Sequence, residues 1–304
     1  MNHILRIAFL SILFGLSLMM TLIMKTPDFR ILPTESFEEL NIMHPSDTPD
    51  FFVPDHAINP GNVNGIVVPG NRLIGGTSDN HWLAPSKIAP YLRSKQIYRA
   101  FSKTGFLSEL HGSVKPDATG DNPHLVFEKI PSFEFQKNFA FAISGGWDAF
   151  PRKPQYINEN LEKYHPLVEK VLAYLHLQAP AIIREIIQID LTGDGTDELL
   201  IAAEHFPKLT EESDPKVLLE QSYSLILLYQ VHDTRESTTV LIGSCREPIR
   251  YDILAVADLN GDWSMECLVR ETLHSHASPK PRRHIIFGLE DKTPCKILEC
   301  WWQP

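Results

Sequence analysis

The strongest constraint on this chain is an internal duplication. Residues 186–201 read Ile-Ile-Gln-Ile-Asp-Leu-Thr-Gly-Asp-Gly-Thr-Asp-Glu-Leu-Leu-Ile. Residues 254–269 answer with Leu-Ala-Val-Ala-Asp-Leu-Asn-Gly-Asp-Trp-Ser-Met-Glu-Cys-Leu-Val. The copies run in step without a gap, Asp190 matching Asp258 at an offset of 68 residues. In each, an apolar run enters an acidic turn and another leaves it, which predicts strand, loop, strand. A further pair of strand-like segments follows each copy, 224–231 with 238–243 and then 284–289 with 295–301. A period of this length suits repeated antiparallel β-sheets.

The turns themselves carry the chemistry. With Asp190 as position 1, oxygen-bearing side chains fall at 1, 3, 5 and 9: Asp190, Thr192, Asp194 and Glu198. The second loop places Asp258, Asn260, Asp262 and Glu266 at the same positions. At position 7 the backbone carbonyl of Thr196 or Ser264 is available. Calcium is a hard cation that takes about six to eight oxygens, and alternating side chains of a curled loop converge to supply them. These residues are therefore the expected metal ligands, with Ca2+ as the cofactor. Gly195 at position 6 suits a sharp turn, whereas Trp263 at the same place in the second loop either strains the backbone or forces a different turn. A helix-loop-helix calcium hand is excluded, because position 12 is Ile201 or Val269 rather than a bidentate Glu. Acidic turns without a metal are the plainer alternative, but duplication of the whole spacing argues against it.

On these residues the chain resembles the calcium-binding repeats of integrin alpha-subunit type, known as FG-GAP or VCBS repeats. The resemblance covers residues 182–304 at most. It implies propeller-blade-like sheets with structural calcium between their strands. Closed propellers take about four to eight blades, so two units predict a smaller β-domain instead.

Upstream of the repeats the chain divides into three parts. Residues 7–24 carry no charge after Arg6, a length at which an apolar run begins to read as a membrane-spanning helix. An uncleaved signal anchor is expected, with a cleaved signal peptide and a buried helix as alternatives. All but the last put the rest of the chain outside the cytoplasm. Residues 25–65 are punctuated by Pro27, Pro33, Pro45, Pro49, Pro54 and Pro60 and read as an extended tether. Residues 66–180 read as a mixed α+β region. Its strands are expected at 66–68, 72–74, 96–101, 105–114, 125–130 and 139–144, with a short helix at 84–92. A longer helix is expected over 158–177, capped by Asn158 and kinked or restarted at Pro166. The fold class is thus mainly β with some α: an antiparallel β-repeat domain, an α+β middle region and an N-terminal hydrophobic helix.

Charge and cysteines narrow the function. The 28 basic residues against 38 acidic give a net charge of −10, with no basic footprint for phosphates, so nucleic-acid binding is disfavoured. Cys245, Cys267, Cys295 and Cys300 all fall near the carboxyl end, an even count that suggests two disulfides in an exported chain. Free buried thiols are the plainer alternative, and a zinc site is weaker still without a Cys-x-x-Cys pair. His274 and His276, with His284 nearby, could place imidazoles on one strand face for a transition metal, but the stretch reads as a polar, exposed loop. Gly145-Gly146-Trp147-Asp148 reads as a turn with a packed Trp, although the same groups would suit a sugar-binding or hydrolytic cleft.

The expected function is an exported or membrane-anchored calcium-binding β-repeat protein, a binding module for an extracytoplasmic protein or glycan. Residues 7–24 would hold it to the membrane. An extracytoplasmic hydrolase with its active site in residues 66–156 is the alternative, and a purely structural envelope protein is a third reading.

Overall fold

The computed structural model describes residues 40–42, 58–116, 123–129, 132–208, 214–232, 235–274 and 280–301. The expected N-terminal helix and most of the tether lie outside these residues. Among the described residues no helix is long and apolar enough to cross a membrane.

The described chain is mainly antiparallel β, in three sheets. A short strand β1 (Leu40–Ile42) precedes β2 (Val63–Val68), β3 (Arg72–Ser78), β4 (His81–Leu83), helix α1 (Pro85–Ile88) and β5 (Gln96–Ser102). Then come β6 (Gly105–Lys115), β7 (His124–Phe127), α2 (Phe133–Asn138), β8 (Phe141–Ile143), β9 (Gln155–Ile157) and α3 (His165–Tyr174). The first repeat is β10 (Ile183–Ile189), β11 (Glu198–His205), helix α4 (Pro215–Glu220), β12 (Tyr223–His232) and β13 (Arg235–Cys245). The second is β14 (Ile249–Ala257), β15 (Glu266–Leu273), β16 (Lys280–Glu290) and β17 (Thr293–Trp301).

Each repeat forms the expected four-stranded antiparallel meander, and both acidic turns join its first two strands in the same register. Ile189 pairs with Glu198 in the first, and Ala257 with Glu266 in the second. Successive side chains of a strand face opposite ways. In β11 that places Leu200 and Ala202 against the second repeat, while Leu199, Ile201 and Ala203 face α3. The second-repeat sheet is likewise covered on both faces. Val256, Cys267, Val269 and Phe287 meet the first repeat, and Ala257, Leu268, Ile286 and Cys300 meet the sheet of the middle region. The order of layers is therefore α3, first repeat, second repeat, middle sheet. Burial on both faces explains why these strands read as continuous apolar runs rather than as alternating ones.

The middle sheet runs β2-β8-β5-β6-β7-β3-β4, and an additional β2–β3 pairing closes it on itself. Val67, Leu73, Tyr98, Leu125 and Ala142 fill one side of it. Gly76 is required where β3 meets β2, since a Cβ there would lie 1.9 Å from the carbonyl oxygen of Asn64.

Within the tether, β1 is an extended strand that pairs in parallel with β13 at the edge of the first-repeat sheet. Several expectations are corrected. The middle sheet begins at Val63 and its strands end at Ile143, while β9 and α3 belong to the first repeat through β10 and a shared core. The helix expected over 158–177 begins as a 3-10 turn, Leu161–Tyr164, and becomes α-helical only at His165. Asn160, not Asn158, precedes that turn, in a left-handed conformation. Pro166 sits in the first turn of α3, where its missing N–H costs no helical hydrogen bond.

The cysteines form no disulfide: all four are free. Cys245 lies beneath α3, Cys267 between the repeats, and Cys300 on the opposite face of the second-repeat sheet. The Cys295 thiol points to the Gly288 carbonyl at 3.7 Å. A disulfide needs facing Cβ atoms about 4 Å apart, which separate layers do not provide. The cysteines are therefore neutral on cellular compartment.

His284 lies in a strand, as the segment 284–289 predicts. It is fully buried in β16, and desolvation with the nearby Arg270 charge lowers its pKa to about 3. Below its usual titration range the unfolded chain takes up a proton that the folded chain refuses. Its contribution to stability is therefore present near neutrality and declines as the pH falls from 6.5 toward 3. Between pH 7 and pH 5 this is worth about 2 kcal/mol of unfolding free energy. Urea melts at the two pH values should give a smaller difference for His284→Gln than for the unsubstituted chain.

Candidate functional site: paired acidic loops

The two acidic loops share the hydrogen bonds made by positions 1 and 9 and by the inner oxygen of position 5. At position 1, Asp190 Oδ1 accepts from the Gly193 N–H at 2.6 Å and Oδ2 from the Gly195 N–H at 2.9 Å. Asp258 does the same with Gly261 at 2.6 Å and Trp263 at 3.1 Å. At position 5, Asp194 Oδ1 accepts from Thr196 N–H at 2.9 Å, and Asp262 Oδ1 from Ser264 N–H at 2.7 Å. At position 9, Glu198 and Glu266 reach back across the turn, each accepting the N–H of position 2 at 2.8 Å.

Trp263 therefore does not force a different turn. Its φ of 75° matches the 85° of Gly195, so the indole-bearing residue adopts a left-handed backbone that glycine takes without cost. The ring escapes collision by standing in solvent, 70 % exposed. Of the alternatives posed by the sequence, strain is the one realised.

One segment of the middle region clasps both loops. Arg152 Nε donates to the Asp190 carbonyl at 2.7 Å, and Trp147 Nε1 donates to the equivalent Asp258 carbonyl at 2.9 Å. Arg152 Nη2 also reaches the carbonyls of Leu191 and Trp263, and Met265 N–H donates to the Leu191 carbonyl at 2.8 Å. The loops are thus tied to each other as well as to the clasp. Position 4 is glycine in both for this reason. A Cβ on Gly193 would lie 2.7 Å from Arg152 Nη1, and one on Gly261 would lie 2.9 Å from the Trp147 ring. Both glycines also have positive φ, 81° and 85°.

Electrostatically the loops differ. Burial raises the Glu198 pKa, assisted by the charges of Asp194 and Asp190. Burial raises Glu266 further and lifts Asp258 as well. Asp194 goes the other way, held at about 2 chiefly by its hydrogen bond from Lys292. That ammonium, on the turn between β16 and β17, lies 3.0 Å from Asp194 Oδ2. In the second loop the equivalent oxygen, Asp262 Oδ2, instead takes the Asn260 amide at 2.7 Å, while Asn260 Oδ1 accepts from Asp262 N–H at 3.0 Å. The second loop satisfies itself; the first borrows a cation.

Among the described residues, no three His, Cys, Asp or Glu side chains are gathered as a ready-made metal cage. The carboxylates are turned to backbone N–H groups and, at Asp194, to Lys292. The donor set of the first loop nevertheless suits a hard cation, since every ligand is oxygen. Two of those oxygens also lack a hydrogen bond: Thr192 Oγ1 at position 3 and Glu198 Oε1 at position 9. Glu198 is 1 % exposed, and the Gln230 amide beside it pulls its pKa down against burial, although neither Glu198 Oε1 nor Gln230 Nε2 reaches hydrogen-bond geometry. Buried polar atoms of this kind are costly unless something else meets them.

No family model matches the chain, and neither a curated protein nor a solved structure does. The likeness to FG-GAP repeats rests on the loop residues alone.

The remaining candidate groups are dispersed. His274 stacks on Phe206 with ring centroids 4.2 Å apart, His284 is buried in β16, and His276 lies outside the described residues. The Gly145–Asp148 segment is a turn with a packed Trp: the Trp147 ring fills the space that a Gly145 Cβ would need. Asp148 is exposed and accepts from the Phe150 N–H at 3.0 Å. Arg152 and Lys292 were not legible as loop residues. The one available signal was position 4, the glycine that both loops share, which marks a close approach from elsewhere in the chain.

Proposed function

We propose that this chain is a calcium-binding β-repeat module, held outside the cytoplasm by residues 7–24, which presents its stacked blade-like sheets to an extracytoplasmic protein or glycan. The observation that carries the reading is the set of hydrogen bonds that the two loops share at positions 1, 5 and 9, joined to the two oxygens of the first loop, Thr192 Oγ1 and Glu198 Oε1, that meet no hydrogen bond of full geometry. The metal is confined to the first loop, where Asp190, Thr192, Asp194, Glu198 and the Thr196 carbonyl would hold it. Its charge would cross-link β10 to β11 and offset the mutual repulsion of three carboxylates. In the second loop, Asp258, Asn260, Asp262, Ser264 and Glu266 act structurally, as an acidic turn closed by its own amide. Binding rather than hydrolysis is favoured because Trp147 is committed to the clasp, and Asp148 to its own turn.

Calorimetric titration of the full chain with calcium tests this reading. One saturable binding event is expected, absent in Asp190→Ala. Asp258→Ala, measured below its melting temperature, should retain it. At a free calcium concentration of a hundred times Kd, folding should gain about 2.7 kcal/mol. Neither heat nor a rise in melting temperature for the unsubstituted chain would sink the proposal.

A further inference from the structure

The outer oxygen of position 5 is capped in both loops, but by different means. In the second loop the cap is internal: Asn260 at position 3 donates its amide to Asp262 Oδ2 at 2.7 Å. Position 3 of the first loop is Thr192, which makes no such bond, its Oγ1 being buried without a hydrogen-bond partner. Asp194 Oδ2 is met instead by Lys292 Nζ at 3.0 Å, delivered from the other repeat. The delivery is built into the backbone. Asp291 and Lys292 form the tight turn between β16 and β17, both with positive φ, 47° and 65°. Two-residue turns of this hand are the favoured connection between twisted strands, so the hairpin sets the backbone position from which Lys292 reaches out. The ammonium therefore stands on a carboxylate that a cation in the loop would need.

From this geometry we infer that Lys292 is a tethered cation that competes with calcium for Asp194 and so sets the affinity of the first loop. The inference rests on the calcium reading above. A second feature also points to a ligand in this loop: Glu198, 1 % exposed, reaches back into it with one oxygen on Leu191 N–H, while the other, with only the Gln230 amide nearby, meets no hydrogen bond of full geometry, and Thr192 Oγ1 meets none either. With Lys292 in place, the loop has one unit of positive charge and one capped oxygen before any metal arrives. Displacement moves that ammonium into solvent, which costs little because its side chain is already 53 % exposed. The second loop has no such exchange available, since its cap is covalently part of the loop.

The test compares calcium affinity, by calorimetry on the full chain, in the unsubstituted protein, Lys292→Met and Lys292→Arg. Lys292→Met should bind about tenfold more tightly, given the repulsion between an ammonium and a divalent ion at short range in a solvated site. Lys292→Arg should stay near the unsubstituted value. Adding Thr192→Asn to Lys292→Met should restore an internal cap and lower the affinity again. A second measurement needs no variant: calcium should increase the acylation of Lys292, read by mass spectrometry, in the unsubstituted chain. Equal affinities for Lys292→Met and the unsubstituted protein, or labelling of Lys292 unmoved by saturating calcium, would overturn the competition alone. Absence of calcium binding in every protein would overturn both the competition and the calcium reading beneath it.

Discussion

Asp258→Ala is expected to destabilise the protein by about 3 kcal/mol, whereas Asp190→Ala should cost only about 1 kcal/mol in the absence of calcium. The two aspartates make the same bonds, so the difference lies in their surroundings. Asp258 is 2 % exposed, fixed by its carbonyl to Trp147 and by its N–H to the Ala149 carbonyl at 2.9 Å. Its removal strands the Gly261 and Trp263 N–H groups in a partly buried turn. Trp263 would then keep its left-handed backbone with nothing to hold it there. The matching donors in the first loop, Gly193 and Gly195, are exposed, so water replaces the lost carboxylate. Thermal melts in chelator should place Asp258→Ala roughly 5–10 °C below the unsubstituted chain. Equal shifts for the two variants would contradict the division of labour between the loops.

Arg283→Met should be as damaging, by about 3 kcal/mol, for an electrostatic reason. Glu271 on β15 is 1 % exposed and accepts from Arg283 Nε at 2.7 Å. The same guanidinium donates to Glu299 at 2.9 Å and lies over the Trp301 ring, 4.7 Å from its centroid. It thus ties β15, β16 and β17 together across the second-repeat sheet. Among the described residues, loss of Arg283 leaves this buried carboxylate with Arg282, a more exposed partner at 3.3 Å. Such uncompensated charge is what makes breaking one side of a buried pair costly, while removing both sides is often mild. Glu271→Gln combined with Arg283→Met should therefore recover more than half of the loss in urea melts. A single variant within 1 kcal/mol of the unsubstituted chain would show that the pair contributes little.

The repeats were legible in the sequence because duplication exposes register. Ile186-Ile187 and Leu254-Ala255 mark the same strand, and Asp190 and Asp258 the same turn. The middle strands were legible because Pro69-Gly70 and Gly75-Gly76 sit beside them, although Gly75 and Gly76 lie within β3 rather than ending it. What escaped was contact between segments distant in the chain. Arg152 sits 38 residues before the Asp190 carbonyl it meets, and Lys292 sits 98 residues after Asp194. Neither has a local pattern, because tertiary packing alone brings them to the loops. The disulfide expectation failed for the same reason: counting cysteines says nothing of which face of a sheet each thiol occupies. His284 looked like part of a basic, polar stretch, yet it pairs with Arg270 in β15 and Cys300 in β17 at the centre of a sheet.

The most direct measurement is an anomalous difference map from crystals of the full chain grown with calcium. A single strong peak is expected in the first loop, about 2.3–2.6 Å from oxygens of Asp190, Asp194 and Glu198, with Lys292 swung away. A map with no peak there, and Lys292 still resting on Asp194, would contradict the account.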